Sequence, residues 1–149
     1  MKKQKEYRIK LNVLNIRNGG HHFYVNSRIN GQKVRLLIDT GASSTVMDRN
    51  NPLFENFNFE DADFIDSGSG FNSNISDISV AELDTMIIGR YKIKNFLCLF
   101  TPMDHVNELY TFMGFKKIAG ILGSDFLLLH KAIIDLKKFE LILTEIKIT

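Results

Sequence analysis

The stretch "RLLIDTGASSTVMD", residues 35–48, decides the fold of this 149-residue chain. Its apolar run Leu36–Ile38 leads directly into an Asp-Thr-Gly turn, so Asp39 is predicted to lie where a buried strand ends and little water is present. Thr40 offers a hydroxyl that can bond to a neighbouring loop, and Gly41 lets the backbone turn sharply and bring its N–H near the carboxylate. The triplet alone is also compatible with an exposed turn between strands, so the flanking sequence has to decide.

The rest of the chain mostly alternates apolar and polar residues with period two, which is typical of half-buried strands. "EYRIKLNV" predicts a strand over 7–13, and "HFYVNSRI" and "QKVRLLID" flank Asn30-Gly31, a dipeptide that favours a two-residue hairpin turn. After Asp39, the sequence predicts a loop with a short helical turn over 49–60, a glycine-rich hairpin over 64–78, and strands near 79–88 and 91–100. A helix is predicted over 103–113, followed by a short strand in "IAGILG". The last predicted elements are a helix in "SDFLLLH", capped by Ser124 or Asp125, and a hairpin in "AIIDLKKFELIL". This pattern predicts one mainly β domain over residues 1–149, with a barrel-like or sandwich-like body.

Three segments carry a resemblance to a known family. "LLIDTGASSTVMD" closely resembles the active-site segment of the retropepsin-like aspartic proteases, and "IAGILGSDFLLLH", residues 118–130, resembles their apolar-apolar-Gly strand and following helix. Between them, "GSGFNSN" falls where the family places its flap, a hairpin that closes over substrate, and the tail is similar to the closing hairpin of cellular members. The resemblance spans about residues 22–143. It implies a mainly β, single-lobe closed β-barrel of the acid-protease type with one or two short helices.

The same resemblance implies the residues of the site. Asp39 would activate water, with Thr40 and Gly41 holding its loop. The implied substrate-binding residues are Ala42 and Ser43 on the cleft floor and Gly68, Ser69, Gly70 and Phe71 in the flap. No metal and no organic cofactor are implied.

This chemistry needs two carboxylates that share one proton, and the chain has one Asp-Thr-Gly. Asp66, in "FIDSGSG", mimics a second catalytic aspartate, but it follows Asp39 too closely to have a supporting lobe of its own and is interpreted as part of the flap. Asp125 is interpreted as a helix cap and Asp135 as a turn residue. The remaining solution is a homodimer in which Asp39 meets its own copy across a two-fold axis.

Two other details concern that dimer. Strands 7–13 and 139–148 are candidate interface strands, because unpaired strand edges invite pairing. Retroviral members carry an acidic residue after the Ala of the motif and an Arg after the Gly of the second segment, and these two form an ion pair. Both positions are serine here, Ser43 and Ser124, so no stranded charge results.

Composition excludes several other classes of function. The net charge of +2 gives no argument for a nucleic acid or a membrane surface as partner. The single cysteine, Cys98, lies in an apolar run and is expected to pack in the core. His21 and His22 are adjacent on a strand and point to opposite faces, so no metal site is expected. The start "MKKQKEYRIK" has no apolar segment behind its charges, which favours a cytoplasmic protein.

The sequence therefore predicts an aspartic endopeptidase that acts on peptides or proteins as a homodimer. An alternative from a different class is a non-catalytic module of the same fold that binds peptide strands or dimerises. The intact Asp-Thr-Gly argues against the alternative, because a pure binding module has no need of a desolvated carboxylate.

Overall fold

The structure is a computed structural model and describes residues 3–61 and 77–146. Within them, two helices and a single turn of 3-10 helix at Pro52–Phe54 accompany eleven strands. The strands are β1 (Glu6–Lys10), β2 (Asn12–Ile16), β3 (Gly20–Ile29), β4 (Gln32–Ile38), β5 (Val46–Asp48), β6 (Glu60–Asp61), β7 (Ser79–Ile88), β8 (Tyr91–Thr101), β9 (Gly120–Leu122), β10 (Ile133–Asp135) and β11 (Glu140–Thr144). The helices are α1 (Asp104–Phe112) and α2 (Ser124–Leu129).

Most of the strands form one closed barrel. The hydrogen-bonded order is β2-β3-β4-β9-β5-β8-β7-β6, and β3 also pairs with β7 through Ser27↔Ile88, Arg28↔Ile87 and Ile29↔Met86. That extra pairing closes a ring of six strands, β3-β4-β9-β5-β8-β7. The prediction of a mainly β, retropepsin-like closed barrel with short helices is confirmed.

The barrel interior holds the main hydrophobic core. Apolar residues of β3, β4, β7 and β8 point inward at alternate positions, as the period-two pattern predicts. An aromatic group closes one end of it: the ring of Phe54 contacts Phe57 and Phe100 at centroid distances of 5.1 and 5.0 Å, and Phe59 contacts Phe100 at 4.9 Å. These phenylalanines therefore pack against one another at the barrel core.

Asparagine-glycine turns fix the register of two hairpins. Asn30 and Gly31 have φ of 49° and 83°, so the predicted two-residue turn joins β3 to β4 and sets Ile29 opposite Gln32. Asn18 and Gly19 adopt the same left-handed backbone between β2 and β3, a hairpin that the sequence analysis missed.

The chain termini form a second, three-stranded sheet in the order β1-β11-β10. The predicted single strand over 7–13 is wrong, because the chain leaves this sheet at Leu11 and continues as β2 in the barrel sheet. The prediction that the C-terminal strand offers an open edge is also wrong, since β11 is paired on both sides, with β1 and with β10. β1 is the outer strand of this sheet and pairs with β11 from Glu6↔Thr144 to Lys10↔Glu140, so its use in an interface stays a prediction.

The remaining predicted elements lie close to their expected positions. The structure confirms the helix over 103–113, the strands near 79–88 and 91–100 and the closing hairpin, where Asp135 Oδ1 accepts the N–H groups of both Lys137 and Lys138. The predicted hairpin over 64–78 falls mainly outside the described residues. Neither helix of the described parts is long and apolar enough to cross a membrane.

His130, at the end of α2, gives the first testable prediction. Burial lowers the pKa of its imidazole below the ordinary value of 6.5, and a main-chain hydrogen bond with Thr144 opposes part of that effect. The unfolded chain then binds a proton more readily than the folded one, so the stability is full above pH 6.5 and is lost as the pH falls below it. We expect the free energy of unfolding in urea to be lower at pH 5 than at pH 7.5.

The matched variant is His130→Asn, which keeps a polar atom near the Tyr91 hydroxyl that Nδ1 contacts at 3.1 Å. It should be less stable at neutral pH, because it fills the buried site less well, but lose less stability on acidification. An equal loss in both proteins would show that other groups cause the acid sensitivity.

Candidate active site

Asp39 lies on a tight loop where β4 ends. Its N–H donates to the carbonyl of Leu122 at 3.1 Å, and its carboxylate Oδ1 accepts the N–H of Gly41 at 2.9 Å. The N–H of Ala42 closes the turn by donating to the Asp39 carbonyl at 3.2 Å. Asp39 is half-buried, while Thr40 and Gly41 are exposed. The loop therefore fixes one carboxylate oxygen and leaves this end of the strand open to a bound molecule.

The glycine of the second motif lets β9 reach that loop. β9 lies between β4 and β5, parallel to the first and antiparallel to the second. A Cβ at Gly120 would lie 2.6 Å from the carbonyl oxygen of Val46 and would also strike the Met47 sulfur. Only glycine allows β9 and β5 to approach this closely, which explains why "IAGILG" has a glycine after two apolar residues.

Gly123, three residues after Gly120, also allows a close approach between two main-chain segments. A Cβ there would meet the Ala42 carbonyl oxygen at 2.8 Å and the Ser44 carbonyl carbon at 2.7 Å. This close contact allows the N–H of Ser124 to donate to the Ala42 carbonyl at 2.7 Å. The Asp39 loop and the start of α2 are thus held together main chain to main chain.

A side-chain brace joins the same two segments. The Asp125 carboxylate accepts the Thr45 N–H at 2.9 Å and the Thr45 hydroxyl at 2.8 Å, both through Oδ1. The Thr45 oxygen in turn accepts the N–H of Gly123 at 3.0 Å. Thr45 is 1% exposed, so these bonds are shielded from water. They tie the far end of the Asp39 loop to α2.

This arrangement corrects the prediction that Ser124 or Asp125 caps α2. The N-cap is Gly123, and no side chain caps the helix there. Asp125 braces the loop instead, and the Ser124 hydroxyl donates a long hydrogen bond of 3.4 Å to the Ser43 carbonyl. Where the resemblance places the retroviral ion pair, the two serines here meet through the hydroxyl of Ser124 and the main-chain carbonyl of Ser43.

Tyr110 of α1 contacts His22 of β3, a relationship that the sequence did not reveal. Its hydroxyl is 2.6 Å from Nδ1 of His22. The β3–β4 register ends with Phe23 opposite Ile38, so His22 and Asp39 are the residues directly beyond that last pair. Burial, and then the charge on Asp39, raises the pKa of Tyr110. Tyr110 therefore stays neutral, with a hydroxyl that can donate or accept near the carboxylate.

The last residue of the quoted stretch, Asp48, anchors α1 over that face. Its buried carboxylate accepts the N–H of Met103 and the side-chain amide of Asn107, each at 3.0 Å. The same amide donates to the Ile118 carbonyl at 3.1 Å, and its oxygen accepts the Ile118 N–H at 2.8 Å. Sequence analysis predicted the helix but missed these anchors, since a single Asp or Asn gives no pattern.

The other predicted residues divide into three groups. Asp39, Thr40, Gly41, Ala42 and Ser43 lie together on the loop that follows β4, and their catalytic and substrate-binding roles stay predictions. The flap residues Gly68, Ser69, Gly70 and Phe71, and also Asp66, lie outside the described residues. Cys98 is buried, and burial followed by the charge on Asp125 raises its pKa to about 12, as expected for a packing residue and not for a reactive thiol.

In the described parts of the chain, no three His, Cys, Asp or Glu side chains lie close enough together to hold a metal ion. His21 and His22 have separate partners, Asn15 Oδ1 at 3.0 Å and the Tyr110 hydroxyl.

The brace predicts the effect of replacing Thr45. Thr45→Val removes the hydroxyl, so the buried Gly123 N–H loses its acceptor and Asp125 Oδ1 loses one of its donors. We expect this to cost about 1–3 kcal/mol in the free energy of unfolding. Thr45→Ser keeps the hydroxyl and loses only a methyl group, and should retain most of the stability. Urea unfolding of both variants measures the difference. Equal losses would show that packing, and not the brace, accounts for the effect.

The chain is similar in sequence and in fold to known proteins. The sequence profile of the family described as "Aspartyl protease" matches residues 25–126. A retropepsin-like aspartic protease from Rickettsia conorii has a similar crystal structure, with 20% identity, a TM-score of 0.53 and coverage of 95% of this chain and 92% of that one. The retroviral protease-like domain of Ddi1 from Leishmania major is more distant, with 18% identity, a TM-score of 0.48 and coverage of 76% of this chain and 81% of that one. No curated protein sequence matches the chain.

The family match covers more than half of the chain and includes both the Asp-Thr-Gly loop and the glycine-containing β9. The chain belongs to the aspartyl protease family and has the retropepsin-like fold.

Proposed function

We propose that this protein is an aspartic endopeptidase that hydrolyses peptide bonds as a homodimer, with Asp39 of each copy as the catalytic residue. The observation that carries the proposal is the Asp39 loop. Its half-buried carboxylate accepts a main-chain N–H at 2.9 Å, and the loop is locked to α2 by main-chain bonds and by the Thr45–Asp125 brace. A group held this firmly is suited to acid–base chemistry, which needs positions fixed to a fraction of an ångström.

In the proposed reaction, two Asp39 carboxylates meet across the two-fold axis and share one proton. Two like charges only about 3 Å apart cannot both ionise, so one carboxylate remains protonated. The ionised carboxylate takes a proton from a water molecule as its oxygen attacks the carbonyl carbon of the peptide. The protonated carboxylate donates a hydrogen bond to the carbonyl oxygen, and the amine leaves with a proton returned from the pair.

The nearby carboxylates of the described residues are unsuited to be the second member of the pair. Asp125 and Asp48 are already bound to structural donors, Thr45 and Asn107 respectively. A second copy of Asp39 meets the need without a second lobe, because a two-fold interface brings the same residue of each chain to the axis. Ala42 and Ser43 would border the bound peptide, and the flap would cover it.

An apolar hollow next to Thr40 is the surface that we propose for the partner copy. It has a volume of about 250 Å³ and is lined by Thr40, Leu127, Leu128, Ala132 and Ile134, together with Ser124 and Lys131. Leu128 is 82% exposed. Because Thr40 directly follows Asp39, any partner that brings a second Asp39 to the axis must approach this hollow. An exposed leucine there would be buried between the two copies.

The first test is Asp39→Asn, which removes the ionisable group and keeps the size of the side chain. Cleavage of a peptide library, followed by mass spectrometry from acid to neutral pH, should fall by roughly 10²–10⁴-fold or below detection. Stability in urea is the control for folding.

The same experiment separates the endopeptidase from the alternative, a binding module of the same fold. Such a module would bind library peptides equally well in both forms and cleave none. Undetectable cleavage by the wild-type dimer across the pH range would overturn the proposed activity.

Leu128→Asp tests the dimer surface. Burying a leucine contributes about 1.5–3 kcal/mol, and the two-fold axis repeats the loss in both copies, so the dimer Kd should rise at least about 100-fold. Analytical ultracentrifugation measures the dissociation, and activity per chain should fall with dilution more steeply than for the wild type.

Phe112→Asp is the matched control, because Phe112 is 84% exposed on α1, away from the hollow. It should leave the dimer intact. Dissociation caused by the Phe112 change and not by the Leu128 change would place the interface on α1 instead.

A further inference from the structure

A second cleft lies on the barrel, at the opposite end of β4 from Asp39. It has a volume of about 720 Å³ and is formed by the β3–β4 hairpin, the loop that follows α1, and the end of β7. Five of its ten lining residues are cationic, and none is acidic: Arg28, Lys33, Arg35, Lys116 and Lys117. The whole chain has a net charge of only +2, so the rest of it carries a net charge of −3. The positive charge is thus concentrated in this cleft.

The strand register makes this concentration costly for the fold. Arg28 pairs directly with Lys33, and Asn26 with Arg35, so the cationic side chains share one face of the hairpin. Like charges directly opposite each other on antiparallel strands are destabilising. Within residues 3–61 and 77–146, none of the five cations forms a salt bridge. No salt bridge in the described residues neutralises these charges, so the cleft is electrostatically suited to an anionic ligand.

The contacts of these side chains leave the cleft free for a ligand. The Arg35 guanidinium lies 4.4 Å from the centre of the Tyr24 ring, which holds it in place without neutralising its charge. Among the described residues, the Arg28 side chain makes a long hydrogen bond of 3.4 Å to the Gly31 carbonyl. Lys33, Lys116 and Lys117 are exposed. Guanidinium groups bind carboxylates in pairs of hydrogen bonds, and lysines add charge without fixed geometry.

We propose that this basic cleft is an exosite that binds an acidic peptide segment of the protein substrate. The proposal rests on the proposed protease function for the origin of the segment. The lining residues include no aromatic side chain, whereas proteins that bind single-stranded nucleic acid use aromatic rings to stack the bases. The observations therefore favour carboxylates on a peptide over a nucleic acid strand.

The position of the cleft relative to Asp39 sets the distance between the acidic segment and the cleaved bond. Alternation along β4 puts Lys33, Arg35, Leu37 and Asp39 on the same face. Arg35 and Asp39 are four residues apart on an extended strand, about 13 Å. An extended substrate spans that distance with roughly four residues. Helix α1 covers Leu37, which lies between Arg35 and Asp39, so the substrate has to pass around the helix and needs more residues. We therefore place the acidic segment on the order of four to eight residues from the cleaved bond.

The binding test uses the Asp39→Asn protein and a fluorescein-labelled peptide of alternating Glu and Gly, with a Gln and Gly peptide as control. Fluorescence anisotropy at low salt should show binding of the Glu peptide alone, weakened by added salt. The double variant Lys33→Glu, Lys117→Glu should bind at least about tenfold more weakly. Lys33→Gln, Lys117→Gln should be intermediate, and thermal melting checks the folding of both.

The matched control is Lys137→Glu, Lys138→Glu, which makes the same change in net charge at the turn between β10 and β11, where both lysines are exposed. It should bind the Glu peptide as tightly as the parent protein. Equal weakening by the two double variants would show that net charge, and not the cleft, attracts the peptide, and would overturn the proposal. If a single-stranded oligonucleotide competes with the Glu peptide and binds more tightly, the partner of the cleft is a nucleic acid and not an acidic peptide.

The kinetic test uses the active protein and one cleavable peptide with and without an acidic run placed six residues from the cleaved bond. For the wild-type protein, the acidic run should lower KM at least about fivefold and leave kcat unchanged. The double variant Lys33→Glu, Lys117→Glu should have the same KM for both peptides and should cleave the peptide without the acidic run as fast as the wild type. Failure of the proposed protease function would leave both peptides uncleaved, whereas the binding test still decides whether the cleft recognises acidic peptides.

Discussion

The hydrogen-bonded contact between Thr45 and Asp125 is the constraint on which the candidate active site depends. The loop that carries Asp39 is short, partly exposed and contains a glycine, so it has little stiffness of its own. Three bonds converge on Thr45: its N–H and hydroxyl donate to Asp125, and its oxygen accepts the Gly123 N–H. Because the hydroxyl both donates and accepts inside the core, it leaves no orphan polar atom. The brace turns a flexible loop into a fixed support for a carboxylate.

The brace joins the same two segments that carry Ser43 and Ser124, the two serines at the positions of the retroviral ion pair. Asp125 accepts two hydrogen bonds from Thr45 and a third from the N–H of Phe126 at 2.7 Å, so its buried charge is stabilised within this segment. Two close glycine contacts, at Gly120 and Gly123, then bring β9 and α2 near enough for these bonds to form. The same segment that builds the support also borders the apolar hollow beside Thr40. Loop stability and partner binding are therefore properties of one piece of structure.

Much of the fold was predictable from the sequence, because each correctly predicted element follows from a short local pattern. Asn30-Gly31 required a hairpin, and the alternating residues of β7 and β8 required strands. What failed depended on contacts distant in sequence. The break at Leu11 cannot be seen in an unbroken alternation, since it depends on which sheet each half joins. Asp125 matched a helix-cap pattern, but Thr45, eighty positions away, binds its carboxylate.

The basic cleft shows the same limit for charge. A net charge of +2 gave no reason to expect an anionic ligand, because a sum over the chain carries no information about position. The β3–β4 register and the loop after α1 bring together cations that are separated in the sequence. In the proposed dimer, the two-fold axis would place one such cleft on each side of the shared site. A peptide substrate runs from N- to C-terminus, whereas the two halves of a two-fold dimer are identical. An acidic run on either side of the cleaved bond could therefore bind the cleft of one of the two copies. The proposed exosite would then select substrates by the spacing of their acidic residues from the bond, and not by the side on which they lie.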